Sequence, residues 1–154
     1  MLNSLLIVLL LCAISAFFSL SEISLAASRR IKLKLMADEG NINAARVLKL
    51  QEMPGRFFTV VQIGLNAVAI LAGIVGESAF SPALQQFFIQ FLSPYWAQQF
   101  ASILSFIIVT SLFILVADLT PKRIGMVKPE AIAIRIVNPM RFLLSRPQPV
   151  SLVL

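Results

Sequence analysis

The stretch FFSLSEISLAAS, residues 17–28, sets Glu22 among Ser19, Ser21, Ser24 and Ser28 at the end of a long apolar run. A carboxylate and clustered hydroxyls in such a place could hold a cation stripped of part of its water, although a lone serine there more often just bonds the carbonyl four residues back. On a regular helix Ser15, Ser19 and Glu22 share one stripe, while Ser21, Ser24 and Ser28 share another roughly 100° away. Both stripes must therefore face protein or water. Ser19 to Glu22 also matches the Ser-x-x-Glu capping box, which predicts a helix break at Ser19. A second set of oxygens follows in ILVADLTPKRIG, where Asp118 precedes Pro121. Proline removes a backbone donor and disfavours helix at Thr120, so a break at Pro121 would free carbonyls near Asp118. A plain stop-transfer end reads equally well there. A third polar position, Asn66, shares a helical stripe with Thr59, Gln62, Ala69 and Gly73. Either a ligand or a helix-bridging amide fits Asn66. Two carboxylates, hydroxyls, an amide and freed carbonyls make an all-oxygen set. It suits a hard cation such as Mg²⁺, or an ammonium group, better than a soft metal.

The elements that must carry these groups are membrane spans. The chain of 154 residues is 58% hydrophobic and 13% charged, where soluble domains run near 45–50% and about 25%. Apolar runs at about 5–27, 57–76 and 100–117 are each long enough for roughly 30 Å of hydrocarbon. Lys and Arg fall only between residues 29 and 56 and between 122 and 146. Positive-inside logic then puts the N-terminus outside, 28–56 and 118–154 in the cytoplasm, and 77–99 outside. The first run has no basic residue before it and reads as a retained span rather than a signal peptide. The outer loop, with Leu84, Phe87, Phe88, Phe91 and Leu92 at helical spacing, predicts an amphipathic interfacial helix. The basic loop predicts helices on either side of DEGN, where Gly40-Asn41 is a turn signal. The last segment predicts a juxtamembrane stretch broken by Pro139, Pro147 and Pro149. Its abrupt end on SLVL reads as a linker cut short, residues 146–154. The fold class expected is thus an all-α membrane protein with three transmembrane helices per subunit plus short interfacial and juxtamembrane helices.

Several function classes fall away. With no histidine and one cysteine, Cys12, no Ser-His or Cys-His catalytic pair and no intrachain disulfide is possible. No phosphate-binding loop occurs, so an enzyme is not expected. The net charge of +6 is explained by the cytoplasmic flanks of spans and points to the bilayer rather than to nucleic acid.

In order along the chain, FFSLSEISLAASRRIKLKL, EGNINAARVLKL, PGRFFTVVQIGLNAVAILAGIVGE and ADLTPKRIGMVKPE resemble the transmembrane domain of the CorC/hemolysin C and cyclin M family. The resemblance covers residues 1 to about 145. It implies a multi-pass protein of the bacterial inner membrane, a homodimer, a cytoplasmic CBS-domain pair beyond the membrane domain, and export of Mg²⁺ as substrate. The family's Ser-Glu matches Ser21-Glu22, and its Gly-Glu-x-x-Pro-Lys appears as Ala117 to Lys122 with Asp118 for Glu. Its Gly-Asn-Asn-x-x-Asn appears as Gly64 to Ala69, with Asn66 as one amide of three. Carried over, Ser21, Asn66 and Asp118 become the candidate metal ligands, and Glu22, Gln62 and Gly125 complete the cation-binding set. TVVQIG instead resembles the hemolysin-like branch. Fewer oxygen ligands and a shorter acid leave a looser pocket than Mg²⁺ demands. Three readings follow: an exporter of a divalent metal, Mg²⁺ or Co²⁺; an exporter of an organic polyamine such as cadaverine or putrescine; and a dimeric membrane anchor for regulatory domains.

Overall fold

Apolar side chains spread around a whole helix circumference leave no polar face, and such helices need lipid or protein on every side. The computed structural model, which describes residues 2–145, shows three helices long and apolar enough to cross a membrane: Asn3–Ala27, Pro54–Phe88 and Pro94–Val127. All regular structure among the described residues is helical. The elements are α1 (Leu2–Ala27), α2 (Arg30–Asp38), α3 (Ile42–Glu52), α4 (Pro54–Phe88), α5 (Pro94–Phe113), a π-helical segment (Ile114–Leu119), α6 (Thr120–Val127) and α7 (Pro129–Ser145). The expected linker, residues 146–154, lies outside the described residues.

The helices run further than the apolar runs alone indicated. Expected spans of 57–76 and 100–117 become continuous helices that begin earlier and end later, Pro54–Phe88 and Pro94–Val127. The separate interfacial helix expected in 77–99 is absent. Leu84, Phe87 and Phe88 continue α4, and only residues 89–93 connect it to α5. Tyr95 and Trp96 stand 66% and 55% exposed in the first turn of α5, where amphipathic rings favour a membrane interface. Pro82 and Pro139 lie inside α4 and α7 without ending them. The break expected at Ser19 does not occur either. α1 is unbroken through it, and the Ser19 hydroxyl bonds another helix instead of capping its own.

The chain forms two compact units, residues 2–19 with 63–121 and residues 20–62 with 122–145. In the first, one side of α5 and the π-helical segment buries Ala97, Ala101, Ser105, Val109, Phe113 and Ala117, every fourth residue. Small side chains on this stripe allow close helix approach. A Cβ added to Gly76 of α4 would lie 2.2 Å from Val109 Cγ1, so only glycine permits α4 that near α5. Leu11, Val68, Ala72, Phe113 and Ala117 form the apolar core, with Cys12 packed on it as a small hydrophobe.

The second unit is a cap of short amphipathic helices. α2 ends in a Schellman turn, with Gly40 at φ 98° and Asn41 N–H donating to the Met36 carbonyl at 3.0 Å. Asn41 then caps α3, its Oδ1 accepting from the amides of Asn43 and Ala44, each at 3.1 Å. The turn thus falls where Gly-Asn placed it. Val47 of α3 and Ala133, Val137 and Met140 of α7 are buried in this unit with Leu33 and Phe57. α7 therefore turns its apolar face to protein rather than to the bilayer surface.

Candidate functional site

In the first unit, the centre of the polar arrangement is Asp118. Thr120 N–H donates to the Leu115 carbonyl, five residues back, and the Thr120 hydroxyl donates to the same oxygen at 2.8 Å. Pro121 has no N–H to give to the Val116 carbonyl that comes next in this register. The widened π turn is how the backbone absorbs the proline, where the sequence predicted a break. Such turns recur at functional sites. Asp118 sits within it, half-buried, and accepts a hydrogen bond from Ser19 Oγ of α1 at 2.5 Å. Ser19 is fully buried and Ser15, one turn before it on the same stripe, is 1% exposed. Ala117, the residue preceding Asp118, belongs with Phe113 to the apolar core.

The second unit holds the other charged pair. Glu22 Oε2 lies 3.1 Å from Lys122 Nζ, and both side chains are 30% exposed. Glu22 Oε2 itself is shut off from solvent and receives no well-aligned hydrogen bond, so the ion pair is its main compensation. An acid at a span's centre costs about 2.5–3.5 kcal/mol and less toward its ends. Gly125 of α6 lies against α1, where an added Cβ would be 2.3 Å from Ile23 Cγ2. Gly125 therefore sets a helix approach and offers no side-chain ligand. Ser21 is fully buried and, with Ser24, lines a cavity of about 10 Å³ walled by Val47, Phe57, Val137 and Met140. Ser24 and Ser28 donate to the carbonyls of Ser21 and Ser24 on their own helix, the ordinary use of serine in an apolar helix.

Of the sequence candidates, Asp118 and Glu22 stand in built polar contacts, while Gln62 and Asn66 lie exposed on α4. Ser19, read as a helix break and as part of the stripe with Ser15 and Glu22, is the serine that meets Asp118. Lys122, read as part of the second basic segment, faces Glu22. The stripe shared by Ser15, Ser19 and Glu22 put these groups on one face of α1 without naming their partners. Among the described residues, no three of His, Cys, Asp and Glu come together as a metal-holding group.

Residues 5–154 match the model of the cyclin M transmembrane N-terminal domain. The chain belongs to this family. Other proteins resembling this cyclin M domain include the polyamine export protein of Escherichia coli strain K12, 69% identical over 144 residues, which are 94% of this chain and 32% of that protein. The polyamine export protein of Salmonella typhimurium strain 14028s is 70% identical over the same shares. That of Haemophilus influenzae is 48% identical over 140 residues, 91% of this chain and 32% of the relative. The domain thus spans about a third of the length of these curated relatives. Membership in this transmembrane-domain family, with three helices long and apolar enough to cross a bilayer, makes it a multi-span membrane protein.

Proposed function

We propose that this domain is the membrane part of an exporter of small organic polycations, diamines such as cadaverine and putrescine being the class that fits. The observation that carries the reading is 69% identity, across nearly the whole chain, to proteins named for polyamine export. The site chemistry supports it. A primary ammonium has three donors and no acceptor, so it needs oxygens such as the Asp118 carboxylate, the Ser19 hydroxyl and the Val116 carbonyl. A polymethylene stem needs an apolar wall, and Ala117, next to Asp118 in sequence, belongs with Phe113 to the apolar core of the same unit.

The divalent-metal reading, with Ser21, Asn66 and Asp118 as ligands, is the weaker of the two. Mg²⁺ demands near-ideal octahedral oxygen geometry, and Asn66 is exposed on α4. On the polyamine reading the protein works as a homodimer in the inner membrane, with its cytoplasmic end joined to CBS domains and no enzymatic step.

The test is efflux from vesicles loaded with radiolabelled putrescine. Asp118→Ala and Glu22→Ala should each abolish efflux while the protein still inserts and keeps its oligomeric state. Unchanged efflux in both variants would remove these residues from the path. Efflux of Mg²⁺ but not of putrescine by the unaltered protein would restore the metal reading.

A further inference from the structure

The first unit contains no Lys or Arg, and its only charged side chains are Asp118 and Glu77. Asp118 belongs to the site above. Glu77 does not. It directly follows the second apolar run of the sequence and meets Ser102, near the start of the third. Among the described residues no basic side chain pairs with it. Its neighbours are hydroxyls. Ser102 Oγ of α5 donates to Glu77 Oε1 at 2.7 Å, Ser81 and Ser102 share a contact of 3.3 Å, and Ser105 Oγ donates to the Glu77 carbonyl at 3.3 Å. Ser105 is 1% exposed. The close approach of α4 to α5 at Gly76 brings this group together. Ser102 has one proton to give, so the second carboxylate oxygen and the Ser81 oxygen keep acceptor capacity.

We infer that Glu77, Ser81 and Ser102 form a second cation site, an exit station for a primary ammonium group of the exported cargo. This rests on the export reading. At about 1.5 Å per residue, Asp118 lies roughly 24 Å from Ser102 along the third span. A single small diamine cannot bridge the two carboxylates, so the sites are occupied in turn. The chemistry at Glu77 selects an ammonium. One carboxylate and a few neutral hydroxyls satisfy three N–H donors, but they are too few and too weakly charged for a dehydrated divalent metal. A carboxylate at one end of a unit without Lys or Arg also favours cations along its length.

The experiment compares the full chain carrying Asp118→Asn with the Asp118→Asn, Glu77→Gln double variant. Equilibrium binding of radiolabelled putrescine is measured on both, with Trp96 fluorescence melts as the control for folding. The single variant should keep a putrescine site, and the double variant should bind about tenfold more weakly or not at all. Equal putrescine binding by the two proteins overturns the inference, as does a site that Mg²⁺ fills in preference to putrescine. Failure of the unaltered protein to export putrescine would instead sink the export reading, which this binding measurement does not depend on.

Discussion

Glu130 shows how one side chain's surroundings become a stability that depends on pH. It is 5% exposed at the start of α7. Burial by itself would push its carboxyl up. Hydrogen bonds from its own amide and from the Arg29 amide, followed by the Lys32 ammonium, outweigh that and hold it below the usual carboxylate value. Its Oε1 accepts from Arg29 N–H at 3.2 Å at the head of α2, where the helix dipole favours an anion. Lys32 Nζ sits 3.3 Å from Oε2. Since the native pKa is depressed, the stabilisation is complete above the ordinary carboxylate range and fades as pH falls through the native value. Glu130→Gln should lose about 1–3 kcal/mol at neutral pH and flatten the acid side of the stability profile. Unfolding followed from pH 7 to about pH 2 checks both effects, and an unchanged acid limb would show that Glu130 is not the group responsible. Nothing in the sequence marked Glu130, because its partners Arg29 and Lys32 lie about a hundred positions away. Asp118 and Glu22 were readable from sequence because a charge in an apolar run is anomalous wherever its partner lies. Their partners, Ser19 and Lys122, depend on helix phase and neighbour choice, which a linear reading does not supply.

Pro121 makes the same point for whole elements. The three apolar runs and the turn at Gly40 could be read directly, since hydropathy and left-handed backbone are local properties. The response to Pro121 could not, because a helix can break, kink or widen around a proline and packing chooses among them. Here the chain widens into the π-helical segment Ile114–Leu119, and Pro121 itself is buried. The widening fixes the direction in which Asp118 leaves the backbone. Pro121→Ala supplies the missing N–H and favours an ordinary α-helix, which would rotate Asp118 away from Ser19. Putrescine efflux should then fall about tenfold or more although every oxygen of the site is still present. Stability should hold or rise, since proline inside a helix costs about 3 kcal/mol. Measuring efflux and thermal unfolding on the same preparation separates this from simple misfolding. A variant that exports normally would mean the π segment is a local accommodation with no part in transport.

Charge is distributed over the whole molecule with the same economy. Every described Lys and Arg lies in residues 29–56 or 122–141, and the 65 residues between Arg56 and Lys122 carry none. Each basic residue held in a short loop opposes translocation of that loop, which predicts both basic segments on the cytoplasmic side and the 89–93 connection outside. The exposed Tyr95 and Trp96 place an aromatic interface beside that connection. With Cys12→Ala removing the native thiol, a cysteine introduced by Ser93→Cys should react with a membrane-impermeant maleimide applied to intact cells. One introduced by Ala45→Cys, exposed on α3, should react only after the membrane is opened. The reverse pattern would invert the orientation. It would place Asp118, at the basic end of the third span, on the outer side, where an exporter releases cargo, and Glu77 on the cytoplasmic side, where it loads. The labelling result therefore decides which carboxylate an outgoing ammonium meets first.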